Sequence, residues 1–309
     1  MGFQQEQIPA FLYHYTNIDS LALILKNRTL RLNNLNNVDD MEEGKTKDYE
    51  LLGDYTFVSS WTDSEEESIP LWHMYSNKYN GVRIKMKSNP FKMNKIKLMK
   101  SITQTGLHPP VFSYSGDEYE AFITQNDWES PDYSCWDINY IHADSGEIID
   151  SIVFQVKYTD DDNLLCPFFS PSSPIPDNLH GDYLHVTTTV ETHETNEKYS
   201  ASKIYSPLLG QYKRSVWAFQ KEWRYILRFY PFMDNLINVP QISEYLLHNS
   251  SWSPFKYYDL TFDDEAYAEM EIMLGPKVSA GDKVIVESLI NQYNPTAKIV
   301  ESILTDKLK

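Results

Sequence analysis

Residues Trp217 to Phe229 read WAFQKEWRYILRF, and this stretch decides the fold class. Trp217, Phe219, Trp223, Tyr225, Leu227 and Phe229 are apolar and fall on odd positions, while Gln220, Glu222, Arg224 and Arg228 take the alternate ones. That is the two-residue period of a β-strand. On such a strand Gln220 and Glu222 stand about 7 Å apart along the chain and aim an amide and a carboxylate at the same space. On a helix they would diverge by about 200°. The plainer reading of the same face is a Glu222–Arg224 ion pair on a solvated strand.

On either side of this stretch the segments alternate between short strands and short helices. Leu12–Thr16, LYHYT, ends a strand, and Thr16 with Asp19 resembles a capping box opening a helix that presents Ile18, Leu21, Ala22 and Leu25 on one face. His14 therefore sits at a strand-to-helix junction. A strand at Thr29–Leu32 runs into NNLNNVDDMEEG, whose Asn and Asp content marks a loop and an acidic turn. Asp54–Trp61 reads as a strand ending in SSW. After the acidic loop DSEEES, Pro70 opens a short helix carrying His73, with Leu71 and Tyr75 four residues apart on one face, stopping at Asn80-Gly81. VRIKMK and KIKLMKSI then alternate as two half-exposed strands.

Residues 103–200 differ in character. They are rich in proline and scattered aromatics and show little periodicity, so loops are expected there, with strands at SIVFQVKY and DYLHVTTTV. Beyond them a helix is expected over part of Glu194–Tyr212. The tail predicts a strand (EMEIML), a Gly275-Pro276 turn, a helix capped by Ser279 with Asp282, and a strand (AKIVESI). Mixed elements without regular βαβ alternation predict an α+β fold in a single domain over residues 1–309, with a loop-rich insertion at about 103–200.

Composition bounds the function. The chain has 309 residues, 41% hydrophobic and 14% aromatic, enough for a substantial core. A net charge of −17 opposes the electrostatic attraction behind most nucleic-acid and anionic-membrane binding. No window approaches the roughly 18 apolar residues of a membrane span, and the opening MGFQQEQIPAF lacks the features of a signal peptide. No membrane association and a cytoplasmic location are expected. Cys135 and Cys166 lie far apart without metal-ligand spacing, so reduced thiols and no zinc site are expected. The acids Asp39, Asp40, Glu42 and Glu43 lack the repeat of a calcium loop. No Gly-rich phosphate loop, nucleophile elbow or Cys/His signature occurs.

Taken in order, LYHYT with its helix, TLRLNN and the Asn-rich acidic turn, FVSSW, W-x-x-Y followed by G-V-x-I, K-x-x-x-W before Q-x-E-W-R, and IMLGPK resemble an uncharacterised bacterial domain family with an opening YHYT. The resemblance covers roughly residues 10–90 and 205–305. That family in turn resembles distant ADP-ribosyltransferases of the H-Y-E type, which implies two small packed mixed or antiparallel sheets, with flanking helices, enclosing an NAD cleft. His14 matches their first-motif histidine. Ser59, Ser60 and Tyr75 match the second motif, and Glu222 with Gln220 the third.

The resemblance implies NAD as a substrate and no metal. Glu222 would hold the ribose and meet the positive charge that develops as nicotinamide leaves, while Gln220 would orient the acceptor. His14 would hydrogen-bond a ribose hydroxyl and fix the sugar, and its neighbours Tyr15 and Thr16 would join it in binding the cofactor. Tyr75 would stack on nicotinamide, Ser59 would help support the glutamate, Ser60 would contribute to cofactor binding, and Arg224 or Lys213 would meet the pyrophosphate. The acceptor would be a protein or a nucleic acid. The resemblance also implies a toxin or phage-defence effector held by an inhibitory antitoxin protein. The alternatives are an NAD glycohydrolase and a noncatalytic nucleotide- or protein-binding module. Glu222 separates them: shared with His14 and Tyr75 in a cleft it favours chemistry, and paired with Arg224 on an open face it favours binding.

Overall fold

A computed structural model describes residues 8–47, 52–102, 111–124, 126, 133–135, 140–142, 153–167, 186–191, 198–203, 209–231 and 255–308. Strands β1 (Phe11–Thr16), β2 (Thr29–Asn34), β3 (Thr56–Thr62) and β4 (Val82–Lys87) open the chain, with helix α1 (Ile18–Asn27) after β1 and helix α2 (Ile69–Tyr75) after β3. The middle contributes β5 (Asn94–Ile102), β6 (Val111–Ala121), β7 (Tyr133–Cys135), β8 (Tyr140–His142), β9 (Val153–Gln155), β10 (Lys157–Thr159), β11 (Val186–Glu191) and β12 (Lys198–Lys203). Then come β13 (Tyr212–Arg214), β14 (Glu222–Pro231), β15 (Tyr257–Thr261), β16 (Glu271–Leu274), helix Ala280–Tyr293 and β17 (Lys298–Glu301). The architecture is mixed α+β, and among the described residues no sheet closes into a barrel.

Backbone hydrogen bonds join ten strands into one mixed sheet, where two separate small sheets are expected from the resemblance. This sheet forks. β14 runs antiparallel along the whole of β3, from Glu222 opposite Thr62 to Arg228 opposite Thr56. The other edge of β3 is divided: β2 pairs with its first half, through Asn33–Val58 and Asn34–Phe57, and β1 touches only its end, at Tyr13–Thr62. From there β1 continues into β4, β16 and β17, whereas β2 continues into β15. The two arms leave a gap between β1 and β2, and that gap positions the site.

The core lies on the apolar face of β14, where Trp223, Tyr225, Leu227 and Phe229 pack with Leu12, Phe57, Trp61 and Ile84. Full burial of each such side chain is worth about 1.5–3 kcal/mol. α1 adds Leu21, Ile24 and Leu25, and the helix Ala280–Tyr293 adds Val286 and Ile290. Tyr267 ties these helices together, donating its hydroxyl to the Leu25 carbonyl at 2.8 Å. Among the described residues no helix is long and apolar enough to cross a membrane.

The alternation in WAFQKEWRYILRF holds only from Glu222 onward. Ser215–Gln220 form a 3₁₀ helix, and Lys221, at φ 45°, turns the chain into β14. Gln220 and Glu222 are therefore not two residues of one strand. α1 is capped by Asn17, whose side chain accepts the Ser20 N–H at 2.7 Å, and not by Thr16, which is still paired with Val82 in the sheet; Asn also outranks Thr as a cap. α2 ends at Tyr75, five residues before the expected stop at Asn80-Gly81, because Asn77, Lys78 and Tyr79 all adopt positive φ. β4 is mostly buried where a half-exposed strand is expected, since Arg83 donates to the Glu65 carbonyl at 2.9 Å and lies over the Tyr13 ring. In the segment expected to be helical, Lys198–Lys203 is instead a strand antiparallel to β11; the β-branched VTTTVE offers a partner edge that a short polar helix would lack. Residues 182–185 of the expected DYLHVTTTV strand and residues 204–208 lie outside the described residues. The capped tail helix and its flanking strands form as expected, with the Ser279 hydroxyl accepting the Asp282 N–H.

Candidate active site

A cavity of about 470 Å³ occupies the fork, within the range of small-molecule sites, about 300–1,000 Å³. Each of the ten residues singled out from the sequence, Lys213 of β13 among them, contributes to its wall. His14, Tyr15 and Thr16 come from β1, Ser59 and Ser60 from β3, Tyr75 from the end of α2, Gln220 from the 3₁₀ helix, and Glu222 and Arg224 from β14.

His14 Nδ1 lies 2.9 Å from the Ser60 carbonyl. A carbonyl only accepts, so Nδ1 carries the proton and Nε2 is left as an acceptor. The ring rests against Trp61 at 5.0 Å. Burial holds the imidazole below its ordinary pKa, outweighing the upward effect of the Ser60 bond, so it is neutral at neutral pH.

Glu222 is buried at the start of β14. One carboxylate oxygen accepts from Arg224 Nε at 2.6 Å and the other from Lys213 Nζ at 3.1 Å. Burial alone would raise its pKa, but the charges of Arg224 and Lys213, with hydrogen bonds from Arg224 and Ser60, bring it below the ordinary carboxylate value. The group is an ionised, fixed carboxylate. Its backbone N–H donates to the Tyr158 hydroxyl at 2.8 Å, which anchors the main chain at this point.

Tyr75 and Gln220 meet across the cavity, the amide Nε2 donating to the phenol oxygen at 2.8 Å. Burial, and then the Asp39 carboxylate beside it, hold the Tyr75 phenol well above its ordinary pKa. Gln220 is itself buried, and its Oε1 has no hydrogen-bond partner among the described residues.

The remaining expected residues take other parts. The Tyr15 hydroxyl accepts the Ser68 N–H at the start of α2, and its ring meets Trp72 edge-on at 4.8 Å, so Tyr15 braces the helix that carries Tyr75. Thr16 is buried at the last β1 pair. Ser59 accepts from Trp61 Nε1 at 3.1 Å on the core face, so support of Glu222 falls to Ser60 on the opposite face and not to Ser59. The Arg224 guanidinium is fully buried and engaged with Glu222 and Glu43. It lies beneath the cavity as a clamp for the carboxylate instead of reaching out as a pyrophosphate contact. Lys213 is engaged likewise. The discriminator stated from the sequence thus has both features at once: Glu222 shares a cleft with His14 and Tyr75, and it pairs with Arg224, but within the protein.

Sequence reasoning missed Glu43 and Asp39. Glu43 is buried among the acids of DDMEE and contacts both Lys213 and Arg224; nothing in the run separates it from solvated neighbours. Past α1 the cavity extends to Arg31, held by two 2.9 Å bonds to Asp259. Among the described residues no cluster of His, Cys, Asp and Glu could hold a metal ion.

No curated protein and no solved structure matches the chain. One family model matches residues 71–225, half of the chain, running from Leu71 within α2 to Tyr225 in β14. The match takes in Tyr75, Lys213, Gln220 and Glu222 and leaves out His14. The chain belongs to the family described as "Protein of unknown function (DUF2971)".

Proposed function

We propose that this protein is an ADP-ribosyltransferase that cleaves NAD at the nicotinamide–ribose bond and transfers ADP-ribose to a macromolecular acceptor. The observation that carries the reading is convergence: His14, Tyr75, Gln220 and Glu222, from four separate segments, face one cavity at the fork of the sheet.

In this reading the C1′–N bond breaks and its electron pair leaves with nicotinamide, so positive charge grows on the ribose. The fixed carboxylate of Glu222 stabilises that charge with little reorganisation. A carboxylate offers about four acceptor positions, so the bonds to Arg224 and Lys213 leave capacity for a ribose hydroxyl. His14 Nε2 accepts a second hydroxyl. Tyr75 lies under the nicotinamide ring, and the unpartnered Gln220 Oε1 receives an N–H or O–H of the acceptor, whose nucleophile bonds to C1′ and releases its proton to solvent. The extension of the cavity toward Arg31 gives room for the rest of the dinucleotide.

One observation favours a second reading. Both Glu222 oxygens are already engaged, which suits a noncatalytic nucleotide-binding module. Nicotinamide release from NAD, measured with and without bacterial lysate as a source of acceptors, distinguishes the two. Release that depends on lysate supports transfer, release without it supports an NAD glycohydrolase, and binding without release supports the module.

A further inference from the structure

We infer that Glu43 is a positioning residue that sets the electrostatic balance of the Glu222 site, an inference that rests on the transferase reading above. Glu43 does not line the cavity. It stands behind it, with Oε1 3.2 Å from Lys213 Nζ and Oε2 bonded to Arg224 Nη1. Each of those cations also contacts Glu222. Two acids and two bases therefore form a closed buried ring of zero net charge, every member of it nearly inaccessible to solvent.

The balance matters because of what the site must stabilise. Without Glu43, one carboxylate would face two cations, and the cluster would present a net positive charge to a transition state that is itself cationic. A unit charge roughly 10 Å away at an effective dielectric of about 20 is worth roughly a factor of ten in rate. Glu43 cancels one cation at no cost in cavity space, so the negative charge of Glu222 remains available to the ribose.

The loop is built to hold it there. Gly53 donates its N–H to the Gly44 carbonyl at 3.2 Å, and the Asn36 side chain fills the space where a Cβ on Gly44 would sit. The adjacent residue supplies an internal control. Glu42 points outward and pairs with Arg214, at 2.7 Å, just as its neighbour Glu43 points inward to Lys213. The two pairs tether the same loop to the same strand, but only the inner one adjoins Glu222.

The test compares kcat and KM for nicotinamide release from NAD in the full chain and in Glu43→Gln, Glu43→Asp, Glu42→Gln and Glu43→Gln with Lys213→Met, each checked for folding by thermal melting. The expected result is a roughly tenfold or greater loss of kcat in Glu43→Gln, with KM changed less than about threefold. Glu43→Asp, which keeps the charge, and Glu42→Gln, which removes one carboxylate charge from the same loop outside the ring, retain most of kcat. The doubly substituted chain, again charge-balanced, recovers part of the loss, and it carries the test if Glu43→Gln alone does not fold. Equal losses in Glu43→Gln and Glu43→Asp, an unchanged kcat in Glu43→Gln, or a folded doubly substituted chain with no recovery would each overturn the inference while leaving the transferase reading intact. A wild-type chain that releases no nicotinamide overturns the reading itself, and the inference with it.

Discussion

Arg224 donates its Nε to the Glu222 carboxylate at 2.6 Å from two residues further along the same strand. The pleat of β14 places both on one face, and burial makes the pair structural as well as electrostatic. Removing one member of a buried ion pair leaves the other charge uncompensated, which costs about 3–5 kcal/mol. Arg224→Met is therefore expected to lower the urea midpoint strongly, whereas Lys298→Ala, which breaks the exposed Lys298–Glu271 pair, shifts it little. Equal small shifts would show that the ring does not hold the fold together.

Tyr75 offers a ring and a hydroxyl that can be separated. Tyr75→Phe keeps the ring and loses the bond to Gln220, while Tyr75→Ala loses both. If the ring stacks on nicotinamide, worth about 0.5–1.5 kcal/mol for an aromatic pair beyond the area it buries, calorimetric titration with NAD shows near-native affinity for Phe and roughly tenfold weaker binding for Ala. Equal weakening in both would assign the role to the hydroxyl.

The strand that carries Glu222 was legible because Trp223, Tyr225, Leu227 and Phe229 alternate with Glu222, Arg224 and Arg228, with Ile226 as the one apolar residue on the polar face. The break before it was not. Trp217 and Phe219 happen to keep the same parity, so the turn at Lys221 leaves no mark in the pattern. The placement of His14 and Tyr75 followed from local signals, a strand end and a helix opened by Pro70. Glu43 could not be read, because its partner Arg224 is 181 residues away and its chemistry is set entirely by burial. The fork in the sheet was likewise invisible, since it depends on which strands share an edge of β3.

pH offers a further check. Burial depresses the His14 pKa below its ordinary value of 6.5, so the unfolded chain takes up a proton at a higher pH than the folded one. The associated stability is fully present above pH 6.5 and is lost as pH falls toward the folded value. Urea midpoints are expected to decline below pH 6.5, and His14→Gln should flatten that part of the decline. An unaltered slope in the variant would place the imidazole in an ordinary solvated state.

Gly44 tests the loop that carries Glu43. A Cβ there would overlap Asn36 Oδ1, so the Asn36 side chain must move from its bond to Asp54. Gly44→Ala is expected to cost about 1 kcal/mol in urea unfolding, the scale of the Asn36–Asp54 hydrogen bond it displaces, and to lower nicotinamide release as well. A neutral outcome in both would mean that the loop adjusts freely and does not fix Glu43.

The most direct measurement is nicotinamide release from NAD by the wild-type chain and by Glu222→Gln, which keeps the shape of the side chain and removes its charge. Release by the wild type is expected, with a loss of at least about a hundredfold in kcat in the variant, the scale of removing one preorganised electrostatic group. Release of equal rate in both proteins, or none from a wild type that is folded, would contradict the transferase reading.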